Sequence, residues 1–123
     1  MTATPRPIVL TQKMIASMPD IPLGDRPGVS RRVLWRDDES EAGVLDVAAG
    51  HRLGAHTHQA NHHHFWVISG HARVLGEELG PGSYVHVPHQ VEHDIDATDT
   101  DGCSVMYTYL RTRGDEPSPI ARR

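Results

Sequence analysis

Residues 29–110 are predicted to form an all-β sandwich or barrel, on three observations. Short runs rich in Val, Ile, Tyr and Trp recur along them: SRRVLWR, AGVLDVAA, HHHFWVIS, HARVL, SYVHV, VEHDID and CSVMYTYL. Turn-forming stretches separate the runs: DDESEAG, AGHRLG, SG, GEELGPG, PHQ and ATDTDG. No stretch holds a 3.6-residue apolar period for about ten residues or more, which argues against strands alternating with helices.

The flanks read differently. Residues 1–28 carry five of the nine prolines, at 5, 7, 19, 22 and 27. Such spacing allows a short strand over Ile8–Leu10 and a helical turn within Thr11–Met18, and little more. The segment reads as a Pro-rich arm that packs on the domain or on a neighbouring copy. Residues 111–123, RTRGDEPSPIARR from Arg111, are polar and Pro-containing and are expected to be extended or disordered.

With 123 residues the chain fits one domain, able to bury roughly two-thirds of its unfolded surface. Cys103 is the one cysteine, so no internal disulfide can form, and a reducing compartment is expected. Formal charge is -4 with neutral histidines. The basic residues, nearly all Arg, are scattered rather than gathered in a stripe, which argues against nucleic acid as a partner. No apolar run nears the roughly 20 residues a membrane helix needs. The N-terminal MTATPRPIVLTQK lacks the apolar core of a secretion signal, so a soluble, cytoplasmic protein is expected.

Histidine is the anomaly. All ten histidines lie between His51 and His93, six of them within Gly50–Gly70. Alternation along a strand puts residues two apart on one face. His56 and His58 therefore share a face if extended, as do His62 and His64, with His63 opposite them. His93 follows some thirty residues later, after a turn containing Pro88.

These spacings resemble the cupin family. Gly50, His56, His58 and Gly70 match its first motif, and His63 stands where that motif has Glu. Gly82, Pro88 and His93 match the second, while Gln90 and Ala97 replace its Gly and Asn. The resemblance implies a single jelly-roll (double-stranded β-helix) barrel over residues 29–110 and a metal held by His56, His58, His63 and His93, with His62 as the alternative to His63. A looser similarity, over PGVSRRVLWRDDESEAGVLDVAAGHRLGAHTH, is to anti-sigma-type and aryl-ketone dioxygenase cupins.

Four neutral imidazoles suit a divalent first-row ion, one per chain, with Zn, Ni, Co and Cu all possible; the resemblance implies Fe or Mn as the favoured ions. Without an anionic ligand the site keeps its +2 charge and attracts a bidentate oxyanion. Phe65, Val67, Val85, Val87, Met106 and Tyr107 or Tyr109 are the expected pocket lining, apolar for the most part, while Trp66 faces away. His86 is a candidate for orienting a ligand. His51, His71 and His89 read as surface residues, and Cys103 as a small core residue. No Asp or Glu is placed by motif as a base, and Glu92, Glu77 and Glu78 qualify by type alone.

The first functional expectation is a mononuclear Fe/Mn dioxygenase-like enzyme acting on a small diketone, hydroxyketone or related aromatic. The alternatives are a non-catalytic, Zn-sensor-like binding module and an isomerase or epimerase. A homodimer is the expected assembly, with a small molecule as the other partner.

Overall fold

The computed structural model describes residues 6–54 and 61–111. Chain order is α1 (Gln12–Ala16), β1 (Ile21–Pro22), β2 (Val29–Arg36), β3 (Glu41–Val47), β4 (Asn61–Gly70), β5 (Ala72–Val74), β6 (Glu77–Leu79), β7 (Tyr84–Val87), β8 (Asp96–Ala97) and β9 (Cys103–Arg111). Two antiparallel sheets result, six-stranded β1-β2-β3-β9-β4-β7 and three-stranded β6-β5-β8.

Local chemistry explains the elements. Thr11 caps α1, its hydroxyl accepting the Met14 N–H at 3.1 Å, and the helix stops after one turn. Ile8–Leu10 forms no strand, so among its described residues the arm's regular structure reduces to α1 and β1. The arm is tied to the domain by Arg32, which donates to the Ile15 carbonyl at 3.1 Å and pairs with Asp20 at 3.3 Å. The β2–β3 turn closes on Asp37, whose Oδ1 accepts the N–H groups of Glu39 and Ser40 at 2.8 and 2.7 Å.

Two runs depart from the sequence reading. Glu77–Leu79, assigned to a turn, forms β6, because Arg73 and Glu78 are cross-strand partners joined by a 2.8 Å ion pair. VEHDID is mostly irregular, with strand only from Asp96.

Register places the barrel interior in rows across the large sheet. One row is Arg31, Leu45, Val105, Val67; the next is Val33, Gly43, Tyr107, Phe65, Val85; the third is Glu41, Tyr109, His63, Val87. Phe65, Ile95 and Val105 are fully buried at its centre. Gly43 makes room for its row: a Cβ there would sit 2.5 Å from the Tyr107 hydroxyl. At the far end Gly70 has φ +73°, and any side chain on it would overlap the Gly102 carbonyl.

Candidate metal centre

Among the described residues, His63 and His93 are the buried polar side chains, 0% and 3% exposed. β4 aims His63 inward by alternation, between Phe65 (ring centroids 4.9 Å apart) and Tyr109 (4.6 Å). His93 comes from the irregular stretch before β8. Its Nδ1 lies 3.0 Å from the Val91 carbonyl. A carbonyl can only accept, so Nδ1 carries the proton and Nε2 the lone pair. That Nε2 faces His63 Nδ1 at 2.9 Å.

The separation tests the fit to a metal. Two imidazole nitrogens bound at about 2.1 Å, roughly at right angles, lie about 3.0 Å apart. The pair has that spacing, and the Val91 carbonyl holds His93 as outer groups commonly hold ligating imidazoles. An ion would displace the proton now between the rings. Among the described residues, no group of three or more His, Cys, Asp or Glu is placed to hold an ion. His56 and His58 lie outside the described residues. The described flanks of that segment meet the site: the Gly54 N–H donates to Asp94 Oδ1 at 2.7 Å, next to His93, and Asn61 begins the strand of His63.

His62 is placed elsewhere. It faces outward, its Nδ1 3.0 Å from Nε2 of His86, so the alternative of His62 at the inner site is not what β4 builds. His86 likewise stands outside the barrel, cross-strand from His64, and cannot orient a ligand of the His63–His93 pair. Of the expected lining, Phe65, Val67, Val87 and Tyr107 point into the barrel and are buried, and Val85 is half-buried beside them. Met106 does not join them. It pairs with Val44 and Trp66 on the outer face, where it helps line a 430 Å³ groove with Ile8, Leu34 and Trp35.

The interior is less apolar than its sequence suggests. Glu41, 13% exposed at its side chain, accepts the Tyr107 hydroxyl at 2.6 Å and is flanked by Arg31 at 3.3 Å and Arg36 at 2.8 Å. Burial, then the bond to Glu41, pushes the Tyr107 hydroxyl well above its ordinary value. Burial, then the Glu41 charge, takes Tyr109 up to about 12. Tyr109 lies between His63 and an open 310 Å³ depression, lined also by Arg31, Arg36, Asn61 and the acidic turn over residues 37–41. Sequence reasoning passed over Glu41 because it ends the acidic turn DDESE. The available signal was the alternation Glu41, Gly43, Leu45, Val47, which puts the carboxylate on the core face. Arg31 follows the same rule with Val29 and Val33.

The remaining candidates stay outside. Glu77 is exposed, Glu78 pairs with Arg73, and Glu92 is an exposed residue lining a shallow cavity that also touches His93, Asp94 and Asp96. His51 is exposed, and His71 bonds Asp99 at 2.8 Å. Cys103 is buried, and burial raises its thiol to about 11, consistent with an inert core residue.

A family model described as the ChrR cupin-like domain matches residues 11–112. The chain belongs to this family. The match begins inside the Pro-rich arm, at α1. No curated protein matches the sequence. Among solved structures it is similar to KdgF from a Halomonas species (20% identity, TM-score 0.67, covering 80% of this chain and 91% of that one). An RmlC-like cupin from Shewanella frigidimarina gives 22% identity and TM-score 0.67, over 81% of this chain and 89% of that one. The anti-sigma factor ChrR of Rhodobacter sphaeroides, solved in complex with SigE, gives 21% and 0.67, over 76% of this cupin and 49% of that chain. At these identities the likeness is one of fold. This cupin is therefore a double-stranded β-helix. Among the described residues, no helix is long and apolar enough to cross a membrane.

Proposed function

We propose that this cupin is a mononuclear metal-dependent enzyme, dioxygenase-like, acting on a small diketone, hydroxyketone or related aromatic. One divalent ion, Fe or Mn, is held by His56, His58, His63 and His93. The observation that carries the reading is the buried His63–His93 pair at ligand spacing inside the barrel. Bound there, a redox-active ion would grip substrate oxygens and supply the electron transfer that O2 chemistry needs. The protein's own part is positional. Val91 fixes the His93 tautomer, Tyr109 and Phe65 clamp the His63 ring, and Phe65, Val67 and Val87 keep water from the inner wall. Glu41 and Tyr107 form a hydrogen-bonded acid–base pair in the same lining, suited to moving the proton of an enolisable substrate.

Two other readings rest on particular observations. The Glu41–Tyr107 pair would equally serve an isomerase, which needs proton transfer and no O2. Membership of the ChrR cupin-like family, with ChrR itself solved in complex with SigE, supports the alternative of a non-catalytic binding module that acts through a separate protein. Metal analysis of untagged protein, followed by oxygen uptake with diketones and catechols after Fe2+ or Mn2+ loading, separates the three. Stoichiometric Fe or Mn with substrate-dependent uptake is expected. Zn without uptake would overturn the reading in favour of the binding module, and turnover without uptake in favour of the isomerase.

The cupin is further proposed to dimerise through the outer face of the large sheet, where Trp66 and its register partner Met106 lie exposed, with Ile68 next along β4. Trp66→Arg should shift sedimentation from dimer to monomer; a monomeric wild type at tens of micromolar would end that proposal.

A further inference from the structure

A second histidine group stands on the outside of the barrel wall. His62 and His64, two apart on β4, both face away from His63. His86 of β7 is the register partner of His64, and their rings stack with centroids 4.6 Å apart and planes 16° apart. His62 leans across this pair, its Nδ1 3.0 Å from His86 Nε2. His89, in the turn after β7, presents its ring edge-on to His62 at 5.7 Å. Two adjacent strands and one turn thus bring four imidazoles into one patch.

We propose that this patch is a second transition-metal site, distinct from the barrel centre. His62 Nδ1 and His86 Nε2 form the clamp, and His89 or His64 supplies the next donor. The clamp nitrogens lie 3.0 Å apart, close to the right-angle spacing on a square-planar or octahedral ion, and a small rotation of either ring opens them to the wider spacing of tetrahedral zinc. Both residues sit on hydrogen-bonded strands, so the ladder fixes their backbone positions and the ring torsions set the remaining distance. Tyr84 orients the neighbouring ring: its hydroxyl lies 2.6 Å from His64 Nδ1. When Nδ1 donates to the phenol oxygen, the His64 Nε2 lone pair is left for an ion. A donor set of imidazoles alone selects Zn2+, Ni2+ or Cu2+ over Mg2+ or Ca2+.

Among the described residues, no three donors already converge on one point. The third donor therefore comes by rotation of His89 or His64, or is water, and the patch binds more weakly than a preformed four-histidine site. Because alternation sends His62 and His63 to opposite faces, the two sites load independently.

The test is calorimetric titration of the untagged, chelator-treated full chain with Zn2+, against a His62→Gln/His86→Gln variant and Tyr84→Phe. Wild type should show a weaker class of sites that the double variant lacks. Tyr84→Phe should weaken that class by about tenfold, as loss of an orienting group commonly does. Both clamp residues are partly or fully exposed, so the double variant should keep the wild-type unfolding midpoint without metal. Zinc uptake by the double variant identical to wild type in stoichiometry and affinity would overturn the proposal. Loss of only the tight class, in His93→Gln, would leave the outer site standing and identify the barrel centre as the other one.

Discussion

His63 and His64 are neighbours in the chain and opposites in the molecule. His63 is fully buried among Phe65, Tyr107 and Tyr109, its Nδ1 bonded to a second buried imidazole. His64 lies on the outer wall, stacked on His86 and bonded to the Tyr84 hydroxyl. Partial burial, then the neighbouring His86 and His62, holds His64 below the ordinary imidazole value; burial, then His62, does the same to His86. The same residue type thus meets two environments because a strand has a period of two. Composition counts histidines, and only the pleat says which of them share a chamber.

The largest expected effect breaks this pair apart. His63→Ala removes a fully buried ring and its bond to His93, and should cost about 2–4 kcal/mol in denaturant unfolding with chelator present. His64→Ala, on the open wall, should cost no more than about 0.5–1 kcal/mol. Equal losses would mean that the inner histidine is not a core group.

How much of this was legible beforehand follows from the same rule. Alternation in a long run with a clear core face was readable, so β4 and β9 and the inward aim of His63, Phe65 and Val67 came from the sequence. It failed where turn chemistry hides a strand start: Glu41 reads as the end of DDESE, yet shares a face with Gly43, Leu45 and Val47. Met106 shows a second failure. It was grouped with Tyr107 as lining, although consecutive strand residues cannot both point inward. The His62–His86 contact needs the register of β4 against β7, and no single strand's pattern contains that.

Metal removal sharpens the contrast next. An ion at one hundred times its dissociation constant stabilises the fold by about 2.7 kcal/mol. Chelation should therefore lower the Tm of wild type and of His64→Ala alike, and leave that of His63→Ala nearly unchanged. A fall of similar size in His63→Ala would place the stabilising ion elsewhere.

The phenols beside His63 predict a smaller, alkaline effect. Tyr109 is raised to about 12 from an unfolded value of about 10. A raised value means the folded state favours the protonated form, so the contribution is complete below about pH 10 and is lost as pH rises towards 12. Wild type should lose about 1–2 kcal/mol across that window beyond what Tyr109→Phe loses. Parallel curves for the two proteins would contradict the burial that raises the group.

The smallest effect comes from a pair that matches the inner one in length but not in setting. His71 Nδ1 lies 2.8 Å from Asp99 Oδ2, against 2.9 Å for His63 and His93, yet the His71 side chain is 56% exposed. The hydrogen bond from His71, then that from the Asp101 N–H, holds the Asp99 carboxyl below its ordinary value. A depressed carboxyl contributes stability above its unfolded value, near 4, and loses it as pH falls through the folded one. His71→Asn should therefore cost only a little stability at pH 7, since water screens an exposed pair, and that small difference should vanish as pH falls well below 4. A loss at pH 7 as large as that of His63→Ala would mean that distance, and not burial, governs what a histidine contact is worth in this fold.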